Sequence, residues 1–255
     1  DIHKEFLDIH GGGEDLRFPH HDNEMAQSEA YLGRPQWVNY FWHAGHLSIA
    51  GLKMSKSLKN FITIRQALQV HSARQLRLMF LMQQWDKGMN YSDQAIDMAK
   101  AEERKLKHFL GRLKFSLRGE HSKGKAGDRE TGLLEAVRAS DAAVGAALRD
   151  NFNTAKVVET ISKLVSECYP SLDALPEAPL EPVQKAAELV ERILGVLGVE
   201  GLSTSPANEA AWTPALDAFA GLRQEVRQLA RAKAMDSAKV TSAVEKAGAA
   251  AAAAK

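Results

Sequence analysis

Apolar residues come first in short runs broken by glycine, proline and histidine; from His71 onward they recur mainly every three to four positions, the period of an amphipathic helix. Phe6-Leu7-Asp8-Ile9-His10-Gly11-Gly12-Gly13 is an apolar run that stops at glycines, which predicts a buried strand and then a tight turn. Pro19, early acids and then Met25-Ala26-Gln27 predict a helix starting near His20, closed by Gly33-Arg34-Pro35. Trp37 to His43 is aromatic and β-branched and reads as the next strand, with a shorter one at Leu47 to Ala50. Strand, helix and strand at this spacing predict a parallel βαβ unit.

Phe61 to Leu68 reads as an extended stretch running into a helix. His71 to Met82 carries a serine cap at Ser72 and a helical apolar pattern, with arginines on the other side. Trp85 to Ser92 breaks it, and Ser92 opens a long helix through Lys105. Further helices are predicted over Glu135 to Asp150, from Asp150-Asn151-Phe152-Asn153-Thr154 to Tyr169-Pro170, and over Val183 to Leu197, closed by Gly198. Pro176, Pro179 and Pro182 mark a linker. This succession predicts a helical bundle. Leu202 to Pro214 reads as loose, Ala215 to Met235 as helical, and the alanine tract Ala247 to Lys255 as frayed. The fold class expected is therefore α/β followed by all-α, divided at 1–66, 67–95, 96–200 and a C-terminal tail, 201–255.

Composition narrows the classes. Of 255 residues, 45% are hydrophobic and 25% charged, as in ordinary globular domains rather than disordered or membrane chains. A net charge of +1 means that any nucleic-acid contact must use local patches. One such patch is Lys105, Lys107, Arg112, Lys114, Arg118, Lys123 and Lys125; it fits a phosphate-facing stripe, and more simply a solvated helix face. One cysteine, Cys168, excludes an internal disulfide framework and favours a reducing compartment, and a cytoplasmic setting is expected. No run of 18 uncharged apolar residues predicts a membrane span. The chain begins at Asp1 rather than Met and is expected to start inside a larger protein.

Three stretches carry chemistry. Lys53-Met54-Ser55-Lys56-Ser57 puts two ammonium groups on a loop between Gly51 and Asn60. This suits a polyphosphate that must be gripped and released, and also a plain basic loop. His10, Gly13 and Asp15 fall at the carboxyl end of the first strand, where open α/β sheets bind ligands. Glycine there allows close backbone approach, and a carboxylate can accept from a ribose diol; a plain loop with a structural histidine is the other reading. His20 and Glu24 share one helix face. An imidazole and a carboxylate one turn apart form half of a tetrahedral zinc site, or a simple surface hydrogen bond.

The lysine pentapeptide resembles the second signature loop of class I aminoacyl-tRNA synthetases. Asp8 to Gly13, Asp15-Leu16, Phe18 to His21, Asn23-Glu24, Ala26-Gln27-Ser28 and Lys53 to Phe61 together resemble the cysteinyl-tRNA synthetases. Lys59, Ser72 to Arg77 and Tyr91-Ser92 look like their eukaryotic branch. The likeness is strong over residues 6–92, moderate to about 200, and absent after about 235. It implies the C-terminal half of a Rossmann-type catalytic domain plus an anticodon-binding bundle that begins a helix at Asp150 to Thr154. It implies attack of the cysteine carboxylate on the α-phosphate of ATP, accompanied by Mg2+, and transfer of the acyl group to cysteine tRNA. Lys56, assisted by Lys53, would stabilise the departing phosphates; Gly13 and Asp15 would hold the nucleotide, and His10 would line the amino-acid pocket. His20 and Glu24 fall on two family ligands of a zinc ion that binds the substrate thiol, the other two being cysteines expected upstream. His43-Ala44-Gly45-His46 mimics the other class I signature, H-I-G-H, but follows a late strand and lies too close to Lys53; it is read as packing or pocket lining.

Lacking the H-I-G-H segment and two zinc ligands, the polypeptide is expected not to form the adenylate alone. Two rivals remain: a mycothiol-pathway cysteine ligase, which lacks a long helical bundle, and a non-catalytic RNA-binding protein derived from a synthetase.

Overall fold

A computed structural model describes residues 6–49, 52–53, 62–117, 127–175 and 178–202, together with 218, 221–224, 226, 244 and 245. Two compact units emerge, 1–202 and 203–255. In the second, the described residues are helical. Met54 to Phe61 with Lys56, the side chain of Lys53, Arg118 to Lys125, the stretch from Ser203 to Pro214 expected to be loose, and the alanine tract lie outside the described residues.

The first unit opens with strand β1 (Leu7–Gly13), a 3-10 turn (Glu14–Leu16), a wide turn (Arg17–His21) and helix α1 (Asp22–Leu32). Strand β2 (Val38–Ala44) then pairs with β1 in parallel, completing the expected βαβ unit. The glycines do not form the predicted turn. β1 stays extended through them, in register Gly11 with Trp42, Gly12 with His43 and Gly13 with Ala44. Nor is β1 buried: Ile9 is 53% exposed and its register partner Tyr40 67%. Alternation puts Ile9, Tyr40 and Trp42 on one face, and His10, Gly12, Phe41 and His43 on the other.

A second small sheet has the order β4-β3-β5, with β3 (Leu47–Ile49) central, β4 (Leu52–Lys53) antiparallel to it and β5 (Met89–Tyr91) parallel. β5 lies inside the predicted break: three residues are too few to show alternation in sequence, and the backbone of β3 recruits them. Between β4 and β5 come helices α2 (Ile64–Val70) and α3 (Ala73–Leu81). Both start at capping boxes, Thr63 with Gln66 and Ser72 with Gln75, which satisfy the first amides of each helix.

Helices α4 (Asp93–Ser116), α5 (Asp128–Arg149), α6 (Thr154–Asp173) and α7 (Glu181–Val196) follow. Their inner faces, with Leu78 and Met79 of α3, close one core in which Phe109, Leu106, Leu164, Val165, Val183 and Val190 are fully buried. α5 begins earlier than predicted, because Glu130 reaches back to the Gly127 amide and starts the helix there. α6 does not stop at Pro170; buried Ser171 and Leu172 carry it to Asp173, so packing outweighs one lost backbone bond. Pro182 lies in the first turn of α7 rather than in a linker, where its missing N–H has no helical partner to lose.

The arginines of α3 are not a solvated face. Arg74 donates to the buried Glu103 carboxylate at 2.7 Å and to the Glu200 carbonyl at 2.6 Å, beyond the end of α7. Much of the basic patch is likewise engaged internally: Lys105 donates to Ser162, Lys107 pairs with Glu103, and Arg112 with Asp173.

Candidate functional site

Four histidines and a carboxylate converge on the polar face of the β1–β2 pair. Parallel register places His10 beside Phe41 and Gly12 beside His43. The wide turn after β1 then delivers His20 and His21, and the first turn of α1 delivers Glu24. Gly12 is required here: a Cβ at that position would stand 2.9 Å from the His21 imidazole. Glycine in the strand thus lets the His21 ring pack close to the backbone.

Glu24 is the hub. One oxygen accepts from His10 Nε2 at 2.7 Å, and the other lies 3.4 Å from His20 Nε2. The His10 hydrogen bond holds the Glu24 carboxyl below the usual carboxylate range, so it stays ionised near neutrality. His21, 3% exposed, packs against the His10 ring at 4.4 Å between centroids. Its Nδ1 is 2.9 Å from His43 Nε2, so one of these nitrogens donates to the other. Burial, then the neighbouring His10 and His43, push the His21 pKa down, which leaves its ring neutral at pH 7. Phe41 and Trp37 wall the pocket on the His10 side.

The sequence expectation named His20 and Glu24 as metal ligands. The structure brings both together with His10, but the tightest donor group is His10, His21 and Glu24, whose candidate ligand atoms lie within 4.8 Å of one another. His20 stands at the rim, 58% exposed. Imidazole nitrogens and a carboxylate are a donor set that zinc accepts, so the residues present fit such an ion. The sequence assigns His21 no role; the one signal for it is adjacency to His20 at the start of a helix. His43 was read as packing or pocket lining, and it does line the pocket, through His21.

Gly13 and Asp15 sit at the carboxyl end of β1. His46 reaches the carboxylates of Glu14 at 3.5 Å and Asp15 at 3.7 Å. His46 leads into β3, and β3 pairs with β4, the strand that contains Lys53. Gly45 fixes this junction. Its N–H donates to the Trp85 carbonyl at 3.0 Å, and a Cβ on it would collide with the Lys87 backbone.

The family described as tRNA synthetases class I (C) catalytic domain matches residues 1–101. A cytoplasmic cysteine–tRNA ligase of Xenopus tropicalis is 50% identical over 170 residues, 64% of this chain and 22% of that protein. The Homo sapiens enzyme of the same name is 51% identical over 168 residues, again 64% and 22%, and that of Dictyostelium discoideum 46% over 163 residues, 63% and 25%. This chain therefore spans about a fifth to a quarter of the length of the relatives it matches. Among solved structures, Mycobacterium tuberculosis methionyl-tRNA synthetase bound by methionyl-adenylate superposes with a TM-score of 0.59 at 17% identity, over 77% of this chain and 43% of that one. A ternary LeuRS-tRNA-LeuAMS complex from Agrobacterium radiobacter K84 gives 0.58 at 18%, over 79% and 27%. At those identities the likeness is one of fold alone.

Proposed function

We propose that this chain serves a cysteine–tRNA ligase, which activates cysteine with ATP and transfers it to cysteine tRNA. The observation that carries the reading is the Glu24 hub with His10, His20 and His21, in a stretch where relatives near 50% identity are named cysteine–tRNA ligases.

In this reading His20 and Glu24, with His10 and His21 beside them, hold a zinc ion. When bound, zinc supplies a Lewis acid that favours a deprotonated thiol over a hydroxyl. The chain's own residues supply placement. The Glu24 carboxylate is pre-ionised, and the His10 hydrogen bond fixes its direction. Neutral His21 offers a lone pair rather than a repelling charge. Phe41 and Trp37 pack against the His10 ring and hold its plane. Asp15, oriented by His46, accepts from the nucleotide ribose, and Gly13 permits close backbone approach. Lys53 and Lys56 stabilise charge on the departing pyrophosphate, accompanied by Mg2+. Helices α4 to α7 form the anticodon-binding bundle, and the setting is cytoplasmic. Among the described residues no helix is long and apolar enough to cross a membrane. The bundle also weighs against an amino-sugar cysteine ligase, whose acceptor needs no such surface.

The test is cysteine-dependent ATP–pyrophosphate exchange and cysteine tRNA charging by the full-length gene product, with serine as control. Exchange with cysteine and not serine, lost together with zinc in His20→Ala, is expected. Equal exchange with both amino acids, or full activity without zinc, would sink the reading.

A further inference from the structure

The apolar face of β2 ends in an aromatic joint away from the histidines. Trp42 sits on the face opposite His43, 40% exposed, with its ring 5.0 Å from Phe152 and 5.7 Å from Trp85. Phe152 lies in the connection between α5 and α6, far along the sequence from β2. Two polar contacts lock the same place. Trp85 Nε1 donates to the Asn151 carbonyl at 2.8 Å, and Asn151 Nδ2 donates to Asp86 Oδ2 at 3.1 Å. Asn151 and Phe152 both hold left-handed backbone, at φ 54° and 49°. Two consecutive non-glycine residues in that region are uncommon, and an aromatic one more so. Surrounding contacts must over-determine such a turn, and here those contacts are Trp85, Asp86 and Trp42. The turn thus presents a half-exposed Phe152 ring to the strand that carries His43, while Gly45 pins the 85–88 turn against the end of β2.

We infer that Trp42, Trp85 and the strained Asn151–Phe152 turn form a positioning joint that sets the helical bundle relative to the histidine pocket. Resting on the synthetase reading, the joint governs delivery of the tRNA acceptor end to the activated amino acid and not the activation itself. Phe152, Trp85 and Trp42 are positioning residues that touch no substrate.

Two measurements test this. The first does not depend on the activity. Spin labels at Tyr40→Cys and Lys163→Cys, both exposed positions, report the distance from β2 to α6. Buried Cys168, its thiol pushed up to about 12 by burial, stays unlabelled. A single narrow distribution is expected in the otherwise unchanged chain, and a broadened or shifted one in Phe152→Ala. The second compares pyrophosphate exchange with tRNA charging in the full-length gene product. Phe152→Ala is expected to lower kcat/KM for tRNA about tenfold while exchange stays within twofold. Trp85→Phe, which keeps a ring but loses the donor to Asn151, is expected to give a smaller loss of the same kind, and serves if Phe152→Ala does not fold. An unchanged distance distribution overturns the joint. Equal loss of exchange and charging, or loss of neither, overturns its positioning role. Should the unaltered protein charge no tRNA, the synthetase reading falls and the distance measurement alone decides the joint.

Discussion

Single residues in this molecule are constrained most where a backbone must be approached closely. Gly45 is the clearest case, because the obstacle to a side chain there is the Lys87 backbone rather than a flexible side chain. Gly45→Ala is expected to lose at least about 2 kcal/mol by forcing β2 and the 85–88 turn apart, readable as a lower urea midpoint. Glu103 is constrained electrostatically. Burial pushes its carboxyl up, yet hydrogen bonds from Gln75, Lys107 and Arg74 together hold it below the usual carboxylate range. A carboxyl depressed in the folded state contributes stability above its unfolded pKa and loses it as pH falls through the folded value. The first unit is therefore expected to lose stability on acidification through and below the ordinary carboxylate range. Glu103→Gln should flatten that acid limb and cost about 2 kcal/mol near neutrality. Urea titrations of both chains between pH 3 and 7 decide it; parallel acid limbs would remove Glu103 from the account.

At the scale of elements, α2 and α3 begin with the same capping box but have different surroundings. α3 places Leu78 and Met79 in the core, whereas α2 leaves Ile64 76% and Val70 75% exposed. Ser72→Ala should lower global stability by about 1 kcal/mol, while Thr63→Ala should leave the global transition in place and only speed amide exchange over 66–70. Equal shifts in the two variants would show that α2 shares the cooperative unit. The same contrast explains what could be read from sequence. Ser72, Ser92 and Asn153 announce their helices because a cap is a local device, and the βαβ unit was legible because strand and helix periods differ. The continuation of α6 past Pro170 was not legible, since burial of Leu172 against other helices decides it. The pairing of β5 with β3 depends on a backbone about forty positions away in sequence. In the site, His10, His20 and Glu24 were readable from spacing and from the resemblance. His21 and His43 become neighbours only through the register Gly12 with His43, and no local pattern encodes that register.

Across the first unit, burial is unevenly shared. The core runs from Leu78 to Leu202, whereas Val38 is the buried apolar residue among those described up to residue 49. Amides in β1 and β2 are therefore expected to exchange through openings well below the free energy that opens α4 to α7. The pocket lies on this weakly buried part, so a ligand that binds only its folded form should act there first. Under the zinc reading, zinc at a hundredfold excess over its dissociation constant stabilises the closed form by about 2.7 kcal/mol, or roughly hundredfold in protection. That gain should appear across β1, the wide turn, the start of α1 and β2, and should leave α4 to α7 nearly unchanged, because their openings are governed by their own core. His20→Ala and Glu24→Gln should each remove most of it, whereas Tyr40→Ala, on the opposite face of β2, should not. Hydrogen exchange with and without zinc measures all of this in one series. Protection spread evenly over the helices, or a response that survives Glu24→Gln, would mean that the ion binds elsewhere and that the Glu24 hub is an ordinary hydrogen-bonded cluster.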